Sequence, residues 1–570
     1  MAAIINHRLY PVYCFSVGFL FLLSALQEEL MFQLAFLIGL FSYIIFFTGI
    51  LGFLNKGIIL LSVVSFLLLA CFIFKKSIFD LKTQINLKRW HFGLTALFIV
   101  LILIQAGINL LGALGPELGF DALWYHLTMP KIYLQSEKIF YIGGHLYYSA
   151  MPQLTEMYYL VGLALGNEIV AKIIHFAFGI LSLIALYKMA RIFLSVRDSL
   201  LTTLIFYSNL VVGWMSITAY IDLARTFFEV MALWAFVYFV KSGKLRWISI
   251  SAAMVGFAVS TKVLSISSII LYLLLLIYIK FSAKLNTRRF LKLAVAYTGI
   301  ALAVAIPWLL YSYLNTGNPI YPVFSSGFNP NSVPMSFNLI QLFKQGIQIF
   351  LLSPDPISPV YLISLPLIGW YIRKNWFKKN SGKTTLIIKL LIIYVLFNIV
   401  SLYLTPIESS GRFILPYLPA FSLLFILLIK NLNSKFLYNF SVWIIIIISI
   451  SSIAYRGMAN KRFIPYLLGK ITPAEFMAKN MEFQVGNFFD LDGYFQKTIK
   501  PDDKVLIYGI SNLYYVNFPY IHSSRVKEGD KFNYILVKDM GLPGRFQNWK
   551  LVYQNPVTKV KLYTFHYYDK

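Results

Sequence analysis

Asp121 stands in the run Gly119-Phe120-Asp121-Ala122-Leu123-Trp124-Tyr125-His126-Leu127, directly after a long apolar stretch. An ionisable group in that position marks the mouth of a functional cavity, or it caps a helix, because Asp is a favoured N-cap residue. A second group follows in Tyr220-Ile221-Asp222-Leu223-Ala224-Arg225-Thr226-Phe227-Phe228-Glu229. Asp222, Arg225 and Glu229 are spaced by three and four residues, so they share one face of a helix. They form either an internal ion-pair ladder or the wall of a polar cavity, with Arg225 free to meet an anionic ligand. Lys262, in Val259-Ser260-Thr261-Lys262, and Arg412, in Gly411-Arg412-Phe413-Ile414-Leu415-Pro416, add two cations. Either one alone reads as a snorkelling anchor; together they suggest a cationic site for phosphate. Lys172 and His175 share one helix face and either line the same cavity or find backbone partners. Asp121, Asp222 and His126 are of types that ligate a divalent metal or simply hydrogen-bond, and the sequence leaves both open.

The elements that carry these residues are hydrophobic. Apolar residues fill 59% of the 570 positions and charged residues only 13%, against about 25% charged in a soluble domain. The mean hydropathy is +0.71. Spans of roughly 20 residues cross a bilayer, and such runs recur at Met31–Leu54, Gly57–Phe74, Trp90–Leu114, Ile169–Tyr187, Leu291–Leu314, Leu386–Leu404, Phe413–Ile429 and Leu437–Tyr455. Tyr10–Leu26 is apolar enough for a signal core, but it lacks a small-residue cleavage site and is read as a first helix. The whole predicts an all-α polytopic membrane protein of about thirteen or fourteen transmembrane helices. An ordinary cytosolic enzyme is excluded. Cys14 and Cys71 both lie in apolar runs, which argues against a disulfide framework or a cysteine metal site.

The net charge of +27, from 50 basic and 23 acidic residues, is distributed in alternate short loops. These are Lys75–Arg89, Arg191–Arg197, Lys241–Arg246, Lys280–Lys292, Arg373–Lys383 and Lys430–Lys435. That is the positive-inside pattern, not a nucleic-acid surface, and it sets those loops in the cytoplasm. Alternation then places Gly115–Glu168, the Ser216–Ile221 turn, Lys262, the loop Asn315–Pro356, the turn Thr405–Gly411 and the segment from about Arg456 outside. Gly115–Glu168 is rich in tyrosine, as suits one or two helices lying on the outer membrane surface, with Ser149 an exposed loop position. Beyond Arg456, short β-type runs at Lys504–Tyr508, Tyr534–Lys538, Lys550–Tyr553 and Lys559–Phe565 predict a small α/β extracytoplasmic domain. The expected organisation is therefore N-terminal helices over 1–90, a transmembrane core over 91–455 with outer loops 115–168 and 315–356, and a C-terminal domain over 456–570.

Two short motifs are set aside. Ser381-Gly382-Lys383-Thr384-Thr385 resembles the end of a phosphate-binding loop, but Phe377 occupies the earlier glycine position and no strand precedes it. Asp490-Leu491-Asp492 resembles a metal-binding pair of nucleotide-sugar transferases, without a nucleotide fold around it.

Taken in order along the chain, these motifs resemble the GT-C superfamily of membrane glycosyltransferases, nearest the branch of protein O-mannosyltransferases and lipid A aminoarabinose transferases. The resemblance runs from about His91 to Ile429. It rests on Asp121 with its Asp-Ala-Leu-Trp-Tyr-His setting, Ala219-Tyr220-Ile221-Asp222, Gly256 through Lys262, Gly317-Asn318-Pro319-Ile320-Tyr321-Pro322, and Arg412-Phe413-Ile414-Leu415-Pro416. The acidic pair typical of the first loop in protein mannosyltransferases is here Asp121-Ala122, which leaves the acceptor class open.

The resemblance implies transfer of a sugar from a polyprenyl-phosphate donor to a lipid, glycan or protein acceptor on the extracytoplasmic side of the cell (plasma or inner) membrane. A phosphate leaving group departs as an anion and needs positive charge where negative charge develops, with one base for the acceptor hydroxyl. Asp121 would be that base and Asp222 its catalytic partner. Lys262, Arg412 and Arg225 would hold phosphate, and His126 would join them in binding substrate. Direct displacement with one base implies inversion at the anomeric carbon. A lipid-linked glycan ligase or polymerase, or a transporter or flippase, are the alternatives; transporters are often built from repeated halves, and no repeat is visible.

Overall fold

A computed structural model describes residues 28–83, 93–325, 356–377, 382–404 and 410–565, together with Lys344 and 349–350. The expected first helix Tyr10–Leu26, most of the loop Asn315–Pro356 and part of the Ser381–Thr385 motif lie outside the described residues. Among those described, ten helices are long and apolar enough to cross a membrane. Leu154–Leu165 and Leu245–Thr261 are apolar but shorter. Lipid offers no partner for backbone N–H and C=O groups, so continuous apolar runs close their own hydrogen bonds as helices.

Helix position follows side-chain character. Within the spanning windows of Asp222–Ser242 and Gly411–Asn431, 89% of residues are buried, against 6% for Lys56–Ile73. The first two, which carry Asp222, Arg225 and Arg412, form the centre of the bundle; the last lies at its rim. Leu245–Thr261 packs beside Thr287–Thr316 so closely that a Cβ on Gly256 would stand 2.6 Å from the Ala301 carbonyl oxygen. Only glycine permits that approach, and it holds the helix whose end bears Lys262.

The two ends of the bundle differ in chemistry. One end gathers the basic loops. There Arg246 pairs with Glu29 at 3.3 Å, Lys430 pairs with Asp198 at 2.5 Å, and Lys383 Nζ donates to the Lys241 carbonyl at 2.6 Å. The opposite end carries the loop after Leu94–Ala113, the turn before Asp222, Lys262 and Arg412. The tyrosine-rich loop does not lie on the surface as expected. It folds as a wide π turn at Ala122–His126 and helices Thr128–Gln135 and Leu154–Leu165. Tyr133, Leu154, Met157, Tyr159 and Leu160 are fully buried. Backbone contacts anchor it: Ser42 Oγ donates to the Leu154 carbonyl at 2.8 Å, and Tyr158 Oη to the Ile38 carbonyl at 2.7 Å.

The C-terminal residues form a five-stranded sheet of order β2-β1-β3-β5-β4, with β1 Val505–Tyr508, β2 Tyr520–His522, β3 Tyr534–Lys538, β4 Lys550–Gln554 and β5 Val560–Thr564. β1 runs parallel to β2 and β3, while β5 is antiparallel to β3 and β4. Side chains alternate across it. Val505, Ile507, Leu536 and Leu562 pack with Phe488 and Phe495, whereas Leu506, Ile535 and Val537 pack on the other face. Of the five strands, β2 is absent from the sequence reading; three residues are too few to show a period. The Asp490-Leu491-Asp492 carboxylates are spent locally, on the Gln496 and Tyr494 amides and the Tyr553 hydroxyl.

Candidate active site

Two ion pairs meet where four chain segments converge. Arg412 Nη1 lies 2.5 Å from Asp121 Oδ2, and Lys262 Nζ lies 2.8 Å from Asp222 Oδ1. Both cations stack on one ring: Lys262 Nζ is 5.0 Å, and the Arg412 guanidinium 5.1 Å, from the Phe413 centroid. Phe413 therefore joins the two pairs into one site. Arg412 also lies 5.4 Å from the Tyr220 ring, whose hydroxyl accepts from the Asp121 amide at 3.2 Å. The side chains of Arg412, Lys262 and Asp121 are 22%, 18% and 14% exposed, whereas Asp222 is at 1%. Three of the four can thus meet a ligand from outside, and Asp222 lies beneath Lys262. Its Oδ2 has no hydrogen-bond partner among the described residues.

Local sequence explains the presentation of Asp121. Its side chain makes no cap hydrogen bond, so the capping alternative does not account for it. The π turn that follows is a form common at functional sites, and it widens the backbone just where the carboxylate projects.

The remaining candidates are placed differently. His126 faces Glu156, with Nδ1 2.7 Å from Oε1 and both side chains 3% exposed. In place of the expected substrate contact it makes a buried pair, because an acid on the Leu154–Leu165 helix reaches it first. Arg225, expected to be free for an anion, is buried and already engaged. Its Nε donates to Ser265 Oγ at 2.7 Å, its Nη2 donates to the Tyr417 hydroxyl, and Glu229 lies 4.0 Å away. Ser268 completes this buried ladder by donating to Glu229 at 2.6 Å. The ladder sits one to two turns below Asp222 and orients the helix.

Lys172 donates to three carbonyls, those of Gly112, Gly115 and Pro116, at 3.0, 2.6 and 3.0 Å. A cation at a helix C-terminus satisfies orphan carbonyls. His175 bridges the Thr218 carbonyl at 2.8 Å and the Leu223 amide at 3.0 Å, so Nδ1 carries the proton and Nε2 accepts. Neither lines the site. Among the described residues no three His, Cys, Asp or Glu side chains are arranged to hold a metal, and no residue is assigned to one.

Glu117 and Glu156 escaped the sequence reading, although both are acids within apolar surroundings, the signal that picked out Asp222. Glu117 is wholly buried. One of its oxygens accepts from the Leu118 and Gly119 amides at 2.8 and 2.6 Å, the other from the Ala219 amide at 2.6 Å. Burial pushes its carboxyl up, while Lys172 and these three amides pull it back. The C-terminal domain docks on the same loop. The Tyr514 amide donates to the Leu123 carbonyl at 3.3 Å, and Lys131 Nζ donates to the Tyr514 and Val516 carbonyls at 2.7 Å.

This fold and site define a polytopic helical membrane protein with two charge pairs gathered at one end of its bundle. The model of a family described as dolichyl-phosphate-mannose-protein mannosyltransferase matches residues 154–311, which include Asp222 and Lys262 but neither Asp121 nor Arg412. Among solved structures, ArnT from Cupriavidus metallidurans in the apo state is similar at 14% identity and a TM-score of 0.55, over 82% of this chain and 97% of that one. The same protein bound to undecaprenyl phosphate aligns at 13% identity and a TM-score of 0.48, with coverage of 82% and 97%. The Archaeoglobus fulgidus oligosaccharyltransferase in its apo form follows at 12% identity and a TM-score of 0.44, over 77% of this chain and 69% of that chain. No curated protein sequence matches. The family match covers residues 154–311 of the 570, and the likeness to ArnT is one of fold.

Proposed function

We propose that this enzyme moves a sugar from a polyprenyl-phosphate carrier to an acceptor hydroxyl on the extracytoplasmic face of the cell membrane, with inversion. The observation that carries this reading is the pairing of Asp121 with Arg412 and Asp222 with Lys262 around Phe413. Each cation is held by a carboxylate, and a donor phosphate offers oxygens of the same kind. The donor phosphate takes Arg412 and Lys262, and Asp121, released from Arg412, accepts the acceptor's proton. The new bond forms at the anomeric carbon as its bond to phosphate oxygen breaks. The polyprenyl phosphate leaves as an anion, stabilised by the two cations. Asp222 acts by holding Lys262 in place. The matched family's description, which names a dolichyl-phosphate sugar, supports a donor of this class. In this reading residues 91–455 are the catalytic core, 1–90 precede it as membrane helices, and 456–570 form the outer domain.

The test is purified protein with radiolabelled polyprenyl-phosphate sugars, wild type beside Asp121→Asn. The amide keeps the shape but accepts no proton, so transfer should fall by about 10²–10⁴-fold with donor binding retained. A fully active Asp121→Asn enzyme removes Asp121 as the base.

A further inference from the structure

The loop that presents Asp121 is held from two directions, and one of them is the C-terminal domain. Tyr515 accepts from the Glu117 amide at 3.2 Å and donates to the Glu117 carbonyl at 3.1 Å. A single phenol thus satisfies both backbone groups of the residue four positions before Asp121. The side chain of that residue binds the Leu118, Gly119 and Ala219 amides. Leu118 and Gly119 lead into Asp121, and Ala219 leads into Asp222, so one carboxylate ties together the segments bearing both acids. Space is tight around the tie: a Cβ on Gly119 would stand 2.8 Å from Tyr220 Cε1 and 3.0 Å from Glu117 Oε1. The brace continues outward, where the Tyr514 hydroxyl donates to Glu168 at 3.1 Å.

We infer that Tyr515 and Glu117 are positioning residues for the transfer reaction, and that the C-terminal domain is a working part of the active site rather than an appendage. Through Tyr515 it grips Glu117, and through Glu117 it sets the spacing between the Asp121 and Asp222 segments. The inference rests on the proposed role of Asp121. Its physical core is general: a catalytic group must be held to within about half an ångström by locked neighbours, and buried backbone groups left without partners cost more than a made bond contributes.

Tyr515→Phe removes only the hydroxyl and keeps the packed ring, so the domain stays folded. It should lower kcat about tenfold, the cost of roughly one unsatisfied buried pair, while the donor KM holds. Hydrogen–deuterium exchange over residues 115–127 and 216–222 should rise by a similar factor. Glu117→Gln, which sets an amide N–H2 against a backbone N–H, should lower kcat further with the same exchange signature. Tyr553→Phe, which loses a hydroxyl bond to Asp492 within the same domain, serves as control and should change neither quantity. Unchanged exchange in Tyr515→Phe overturns the brace. Wild-type kcat in Tyr515→Phe, beside an inactive Asp121→Asn, overturns the positioning role. If Asp121→Asn itself is active, the failure belongs to the proposed base, and exchange alone decides whether the domain braces the loop.

Discussion

Lys262→Ala separates the work of this lysine in folding from its proposed work on phosphate. The substitution strips the partner from Asp222, a side chain at 1% exposure whose Oδ1 receives Lys262 at 2.8 Å. Its other oxygen has no partner among the described residues. Removing one member of a buried ion pair costs about 3–5 kcal/mol, because the remaining charge stays desolvated. Arg412 stacks on the same Phe413 ring and its charge also acts on Asp222, which draws the expected cost to the lower end, about 3 kcal/mol. That is on the order of a hundredfold in the folded-to-unfolded ratio. Pairing the change with Asp222→Asn removes the orphaned charge, so the double variant should recover most of that loss. Transfer should stay defective in both, because neither offers a lysine to the donor phosphate. Thermal unfolding in detergent and transfer per folded molecule measure the two effects. A single variant as stable as wild type would falsify the buried-pair argument, and a double variant with wild-type donor KM would remove Lys262 from the phosphate site.

Arg412→Ala tests the other cation. Its pair with Asp121 is partly open to solvent, so stability should change by no more than about 1 kcal/mol. Donor KM should rise about tenfold or more, the worth of a hydrogen bond to a charged group; an unchanged KM places the phosphate elsewhere. Topology is checked in a chain with Cys14 and Cys71 replaced by alanine. Ser149 is unsuitable for labelling because it is fully buried, its Oγ accepting from the Ile142 amide at 3.0 Å. Exposed Ser136→Cys should react with an impermeant thiol reagent in intact cells, and Lys284→Cys only after lysis; the reverse pattern inverts the orientation. A pH test concerns His145 and His522, stacked at 3.6 Å between the loop and the C-terminal domain. Burial, with Arg525 and the facing histidine adding to it for His145, lowers His145 to about 2; burial and Arg525 lower His522 to about 4. Both lie below the ordinary 6.5, so the undocked rings bind more protons. Docking stability is complete above about pH 6.5 and falls as pH drops toward 4. Limited proteolysis of the C-terminal domain should accelerate over that window, and a flat profile would refute the stack as a docking contact.

Much of this molecule is legible in one dimension. The apolar runs, the alternation of basic loops, and the sheet strands other than β2 follow from local composition and period, because lipid forces helices and a strand buries alternate residues. Asp121, Lys262, Asp222 and Arg412 stand out for a similarly local reason: charge beside an apolar run is costly wherever the chain goes. Which charge meets which was decided by tertiary structure. Asp121 and Arg412 are 291 positions apart, and Tyr515 and Glu117 are 398. No local signal distinguishes Arg412, which meets the open site, from Arg225, which Ser265, Tyr417 and Glu229 enclose. The same holds for Lys172, whose three carbonyl partners exist only once a helix ends beside it. A residue's type sets what it must find when buried; only the packed bundle determines whether a neighbour or a substrate supplies it.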